Sequence, residues 1–280
     1  MDFPVKPPDY QYLEQAMCRL SQFPNAKTGS IGRSVCGRRI FSFSIGNPKE
    51  RVLFAGAFHG MEWITTLILL RFSLRLCQAL RDHTLIAGED PAPLLEKRGL
   101  CVIPCVNPDG VAIQLKDPDL RWQANARGVD INHNFDAGWC ELRALEIESG
   151  IVGPGPTRFG GPFPESEPET DALTRLCRRR CFCQVLAFHS QGEVIYYDYG
   201  PNTPSCAKEQ AQALADAAGY QVDVPEGLAV GGGFKDWFID CMHRPGFTVE
   251  VGLGRNPLPI EDFFPIYEQL EPMLMRALRL

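Results

Sequence analysis

Residues 51–62, RVLFAGAFHGME, decide both how this chain folds and where its chemistry sits. Arg51 to Phe58 is a run of small and apolar residues, the composition of a strand buried on both faces. His59-Gly60-Met61-Glu62 then bends the chain, Gly60 permitting a tight turn, and Met61 to Leu80 continues with helical spacing. Outward from this unit the pattern repeats. Gly99 to Val106 (GLCVIPCV) reads as a second buried strand, closed by a turn at Asn107-Pro108-Asp109-Gly110. QVLAF ends a third strand at Phe188, VIYYDY is a further apolar run, and PGFTVEVG a later strand. Helices are expected over 10–22, ended by Pro24, over Gln210 to Ala218, and over Asp262 to Leu280. Two short strands are expected around a Cys36-Gly37 turn, and Gly150 to Thr170 reads as a surface loop rich in Gly and Pro.

Strands apolar on both faces that alternate with helices predict one α/β domain over 1–280, a mixed, mostly parallel twisted sheet with helices on both faces. With 280 residues, 45% of them apolar and 22% charged, the chain can bury a sizeable core. A net charge of −6 offers no general attraction for nucleic acid or an anionic membrane. The N-terminus has no apolar core of the secretory kind, and Trp63 to Leu70, followed by Arg71 and Arg75, is too short to span a bilayer. Eleven cysteines, an odd number without regular spacing, favour a reducing cytoplasm over a disulfide framework.

His59 and Glu62, three apart across a strand-to-helix turn, can aim at one cation. Catalytic zinc commonly takes three protein ligands and leaves a place for water. Of the five histidines, His83 lies in a polar helix end and His243 before a Pro-Gly turn. His189 follows a strand, as His59 does, and carboxyl ends of strands are where open α/β sheets assemble sites. Glu250 stands in a strand otherwise apolar apart from Thr248, where a carboxylate is costly to bury without a partner. Near a metal it is placed to take a proton from water.

Five motifs in order, FHGMEW, NPDG, ARGVDINHNFDAGW, FHSQGEVIYYDYG and GGGFKDW…FTVEVG, resemble those of the carboxypeptidase A-like zinc metallopeptidases, from roughly Gly32 to Gly252. The match is nearest the bacterial γ-D-glutamyl-meso-diaminopimelate peptidases, which cut peptidoglycan stem peptides. The resemblance implies one Zn2+ per chain on His59, Glu62 and His189, with Glu250 as general base. It also implies departures. The family's Asn-Arg pair for a terminal carboxylate is here Asn132-His133, and Leu228 falls where the family has a mobile tyrosine. The carbonyl-polarising arginine falls on Arg127 or Arg121, with Arg127 preferred although it could instead pair with Asp130; an intermediate offset lands on Gln123. Lys235 falls at the base of the pocket beyond the cut, where it would suit a diaminopimelate carboxylate, or else is an exposed strand-end lysine. Tyr197, with Tyr196 and Tyr199, either lines the cleft or packs. His133 is either a substrate contact or a packing histidine.

The expected function is therefore hydrolysis of the γ-D-glutamyl-diaminopimelate amide of a muropeptide, in cell wall recycling. The alternatives are a metallocarboxypeptidase or amidase for other γ-glutamyl or C-terminal bonds, and a zinc- or muropeptide-binding protein without turnover. The expected partner is a peptide substrate, with neither nucleic acid nor membrane; the sequence leaves the oligomeric state open.

Overall fold

The computed structural model describes residues 3–280. Met1 and Asp2, which begin the stretch read above for a secretory signal, lie outside the described residues. Eight strands form one sheet: β1 (Ala26–Arg33), β2 (Arg39–Ile45), β3 (Arg51–Gly56), β4 (Gly99–Ile103), β5 (Phe182–His189), β6 (Val194–Tyr196), β7 (Gln221–Asp223) and β8 (Gly246–Glu250), in the order β1-β2-β4-β3-β5-β8-β6-β7. The centre, β4-β3-β5-β8, is parallel; β2 and β6 pair antiparallel with its two edges, β1 antiparallel with β2, and β7 parallel with β6. Alternation along each central strand feeds two cores. Val52, Phe54, Leu186 and Phe188 pack on one face, and Leu53, Ala55, Val185 and Ala187 on the other.

The first core is covered by α1 (Tyr10–Leu20), α2 (Ile64–Asp82), α7 (Ala207–Ala218) and α9 (Phe263–Arg279). The second is covered by α6 (Pro168–Arg179) and α8 (Phe234–Met242), with Trp237 and Phe238 fully buried. Three helices complete the chain: α3 (Pro91–Lys97), α4 (Pro108–Lys116) and α5 (Trp139–Glu148).

Several expectations change. Met61 does not begin a regular helix; Gly60–Glu62 is a 3-10 turn that leads into α2. That helical run, Gly60–Asp82, is long and apolar enough to cross a bilayer by length and composition, contrary to the reading from Trp63 to Leu70, but most of it is buried in the protein. Its apolarity comes from contacts on several sides, with β3, α1 and α9. VIYYDY pairs only over Val194–Tyr196. The segment 150–170 is not simply surface: Phe159, Gly160, Gly161 and Glu167 are buried.

NPDG does not close a strand as a free turn; it opens α4, with Pro108 at the first helical position. Asn107 caps that helix by accepting from Gly110 N at 2.8 Å. Its amide also donates to Phe58 O at 3.0 Å and Ala124 O at 3.0 Å, tying the end of β3 to the loop that follows α4. Asn107→Ala would leave a helix donor and buried carbonyls unmatched, a loss of about 2–4 kcal/mol given ~1–3 kcal/mol per buried unsatisfied group. Urea unfolding would show it as a lower midpoint at unchanged slope.

The same loop rests on buried acids. Asn125 donates to Glu167 at 2.7 Å and Glu169 at 3.2 Å, and burial, the largest influence, pushes Glu169 up to about 7. Between the ordinary carboxylate value of 4.5 and about 7 the folded chain holds a proton that the unfolded chain has released. This group's contribution to stability is therefore present in acid and falls as pH rises through that window. Glu169→Gln is expected to flatten the pH dependence of the unfolding free energy there; an unchanged slope would count against the assignment.

Candidate active site

The sheet register brings the key groups together before any side chain is considered. In the parallel pair β5-β8, His189 lies opposite Glu250, at the carboxyl ends of both strands. β3, the other neighbour of β5, runs on through Ala57 and Phe58 to His59. The turn there is locked by Thr65, whose hydroxyl accepts from Ala57 N and donates to Glu62 O, both at 2.8 Å. Gly60 is required by contact: a Cβ would come within 2.3 Å of Gly110 O. The turn therefore sits flush against the start of α4, which fixes where His59 and Glu62 point.

His59 Nδ1 lies 2.8 Å from one Glu62 oxygen, and His189 Nδ1 lies 2.9 Å from the other. The two Nδ1 atoms are 3.3 Å apart, and ligand atoms from the three residues all fall within 4.8 Å of one another. Two imidazoles and a carboxylate converging in this way form a donor set suited to zinc. On the far side of the His59 ring, Nε2 lies 3.1 Å from Asp130 Oδ1, a carboxylate that fixes the ring's tautomer and orientation. The His189 ring stacks on Phe58 with centroids 5.0 Å apart.

Electrostatics point the same way. Burial opposes charge on His59, yet the Glu62 and Asp130 carboxylates hold it well above its usual value. Burial opposes charge on Glu62 as well, but His59 and His189 bring it down to about 2. The surroundings thus favour positive charge at the cluster. Burial first, and then the Glu62 carboxylate, push Glu250 well above the ordinary range.

These groups line one cleft of about 360 Å³. Of the residues read from sequence, His59, Glu62, Asn132, His133, His189, Leu228, Lys235 and Glu250 border it. Asn132 is fixed by accepting from Phe234 N at 3.1 Å. His133 is both anchored and cleft-facing: its Nδ1 lies 2.8 Å from the buried Glu146 carboxylate.

Readings for four residues change: Arg127, Arg121, Tyr197 and Lys235. Arg127 does not border the cleft; its side chain is 55% exposed and pairs with Glu167, not Asp130, at 3.5 Å. Arg121 sits in an exposed left-handed turn and does not border it either. Gln123, the intermediate offset, does. Tyr197 packs against the core while its neighbour Tyr196 faces the cleft, as strand alternation requires. Lys235 is not an exposed strand end: it lies in the first turn of α8, 4% exposed, with Nζ donating to Asp198 O at 2.6 Å and paired with Asp236.

Sequence reasoning missed Asp130 as the partner of His59, and Arg158 and Asn256 as cleft residues. For Asp130 a signal existed, a carboxylate beside two candidate site residues in DINH; for Arg158, inside a Gly/Pro-rich stretch, there was none.

Asp130→Asn should weaken zinc binding about 10- to 100-fold, the range for partners of metal-ligating histidines. His133→Ala, off the ligand set, should leave it nearly unchanged. Competition with a chromophoric chelator measures both, and equal effects would contradict the assignment.

The chain's relatives agree with this geometry. The zinc carboxypeptidase family matches residues 13–277. Gamma-D-glutamyl-L-diamino acid endopeptidase 1 of Lysinibacillus sphaericus is 35% identical over 97% of this chain and 72% of its own. Among solved structures, bovine thrombin-activatable fibrinolysis inhibitor superimposes with a TM-score of 0.81 at 20% identity, over 98% of this chain and 97% of that one. Murein-tripeptide amidase MpaA of Escherichia coli O157 gives 0.56 at 25% identity, over 91% and 95%. With its ordered motifs, converging ligand set and matching fold, the chain belongs to the zinc carboxypeptidase family and is a zinc metallopeptidase.

Proposed function

We propose that residues 1–280 form one catalytic domain that hydrolyses the amide between the γ-carboxyl of D-glutamate and the α-amine of a diamino acid in peptidoglycan stem peptides. The observation that carries hydrolysis is Glu250 paired in register with His189, beside the three-ligand cluster in one cleft. The choice of bond is supported by the relatives named for γ-D-glutamyl-diamino acid and murein peptides. It is also supported by His133, which replaces the arginine that would favour a general C-terminal exopeptidase.

His59, Glu62 and His189 would hold zinc, which would supply Lewis acidity toward the scissile carbonyl and lower the pKa of water. Glu250, set beside His189 at the cleft by the strand register, takes a proton from the attacking water. Gln123 holds its side-chain oxygen toward the Thr157 hydroxyl, which leaves the amide N–H groups to donate to the developing oxyanion. Glu250 then gives its proton to the departing amine. Eleven free thiols, six of them exposed, suit a reducing compartment, so we place the enzyme in the cytoplasm, acting on released muropeptides.

The test is incubation of zinc-loaded protein with L-Ala-γ-D-Glu-meso-diaminopimelate, followed by mass spectrometry, with a chelator control. Release of diaminopimelate that the chelator abolishes is expected. Glu250→Gln should lower kcat on the order of 10²- to 10⁴-fold with zinc content intact. Release of single residues from ordinary peptides, without diaminopimelate release, would instead favour a carboxypeptidase.

A further inference from the structure

Peptides of this kind carry carboxylates into the cleft, and the residues expected to meet them are absent or engaged. His133 stands where an arginine was expected, and Arg121 and Arg127 lie outside. Lys235 borders the cleft, but its charge is met by Asp236 and its Nζ donates to Asp198 O. The remaining cation on the wall is Arg158, whose guanidinium is in no ion pair among the described residues.

We propose that Arg158 is the specificity-determining residue that receives a carboxylate of the peptide substrate, an inference that rests on reading the cleft as a peptidase site. Arg158 is held in the left-handed region at φ 64°, a backbone state that non-glycine residues adopt at a cost and keep only where surroundings impose it. Here they do. Arg158 N donates to Asp130 Oδ2 at 3.0 Å, and the other oxygen of that carboxylate orients His59. In the two residues that follow, Phe159 O accepts from Asp130 N at 2.8 Å, and Gly160 N donates to Glu146 at 3.1 Å, the acid that anchors His133. The backbone at Arg158 is thus fixed relative to the metal cluster, while the long side chain stays exposed and unpaired at the cleft wall. A fixed base with a free planar fork is suited to bidentate capture of an incoming carboxylate.

The experiment compares the wild type, Arg158→Gln and Arg158→Lys on two peptides. One is L-Ala-γ-D-Glu-meso-diaminopimelate, as the free acid and singly amidated at the glutamyl α-carboxylate or at the diaminopimelate carboxylates. The other is an ordinary N-acylated dipeptide as acid and as amide. The wild type should prefer the acid over one of the amides by about 10- to 100-fold in kcat/KM, mostly through KM. Arg158→Gln should erase that preference, Arg158→Lys should restore part of it, and zinc content should stay the same in all three. The amide that behaves like the Gln variant identifies which carboxylate Arg158 takes. If only the dipeptide is cleaved, the muropeptide reading fails and Arg158 is judged on the dipeptide pair. If neither is cleaved, calorimetric binding of acid and amide forms to the zinc-loaded proteins gives the same comparison. A wild type without acid preference, or an Arg158→Gln variant that keeps it or weakens acid and amide alike, overturns the proposal.

Discussion

The Asp130 carboxylate is the point on which both halves of the cleft depend. One oxygen faces His59 Nε2 and also accepts from Asn132 N, while the other accepts from Arg158 N. A single buried acid therefore sets the orientation of a metal-ligating ring, the start of the Asn132-His133 turn and the backbone beneath Arg158. An isolated buried carboxylate is costly, but one that accepts several hydrogen bonds and faces an imidazole is held ionised. Asp130 is pulled well below the ordinary range against the cost of burial, with His59 the strongest favourable influence and His133 next. Loss of that charge would loosen groups on the metal side and the substrate side together.

The sheet does the complementary work. Its parallel centre fixes His189 and Glu250 as neighbours through backbone pairing alone, so the two cannot drift apart without breaking the register. Loops fix the remaining groups. Asn107 stitches the end of β3 to the loop through Ala124, and Asn125, over the buried Glu167 and Glu169, shapes the following stretch by accepting from Arg127 N and Val129 N. The site thus combines backbone-determined positions on strands with side-chain-determined positions on loops.

That division explains what could be read from the sequence. The strands at 51–58, 99–106 and 184–188, and the site residues at their ends, follow from apolar runs and from residue types with few other reasons to be there. The errors occur where the signal is local but the outcome depends on distant contacts. Asn-Pro-Asp-Gly carries the chemistry of a turn and equally that of a helix start, and contacts with Phe58 and Ala124 accompany the second outcome. Tyr196 and Tyr197 differ by one place in a strand, which is one whole face of the sheet. Arg127 and Arg158 are both loop arginines; only the pairing of Arg127 with buried Glu167 and of Arg158 N with Asp130 separates them. No periodicity encodes such pairings.

The charges around the cleft then suggest how one scaffold changes substrate without changing chemistry. In the proposed mechanism hydrolysis needs the cluster, Glu250 and a hydrogen-bond donor for the oxyanion, and these sit on strand ends and on loops tied to them. Recognition of an acidic peptide needs positive charge a few ångströms further out, where loops vary most freely. In this chain His133 is held by Glu146 and Lys235 by Asp236, so both cleft side chains nearest to family positions are already engaged. A cation supplied by the 157–160 segment, whose backbone is bound to Asp130 and Glu146, keeps its reach into the cleft while its anchor shares the rigid frame of the metal site. Selectivity for a carboxylate can shift in this way from one loop to another while the zinc ligands and the base remain in place.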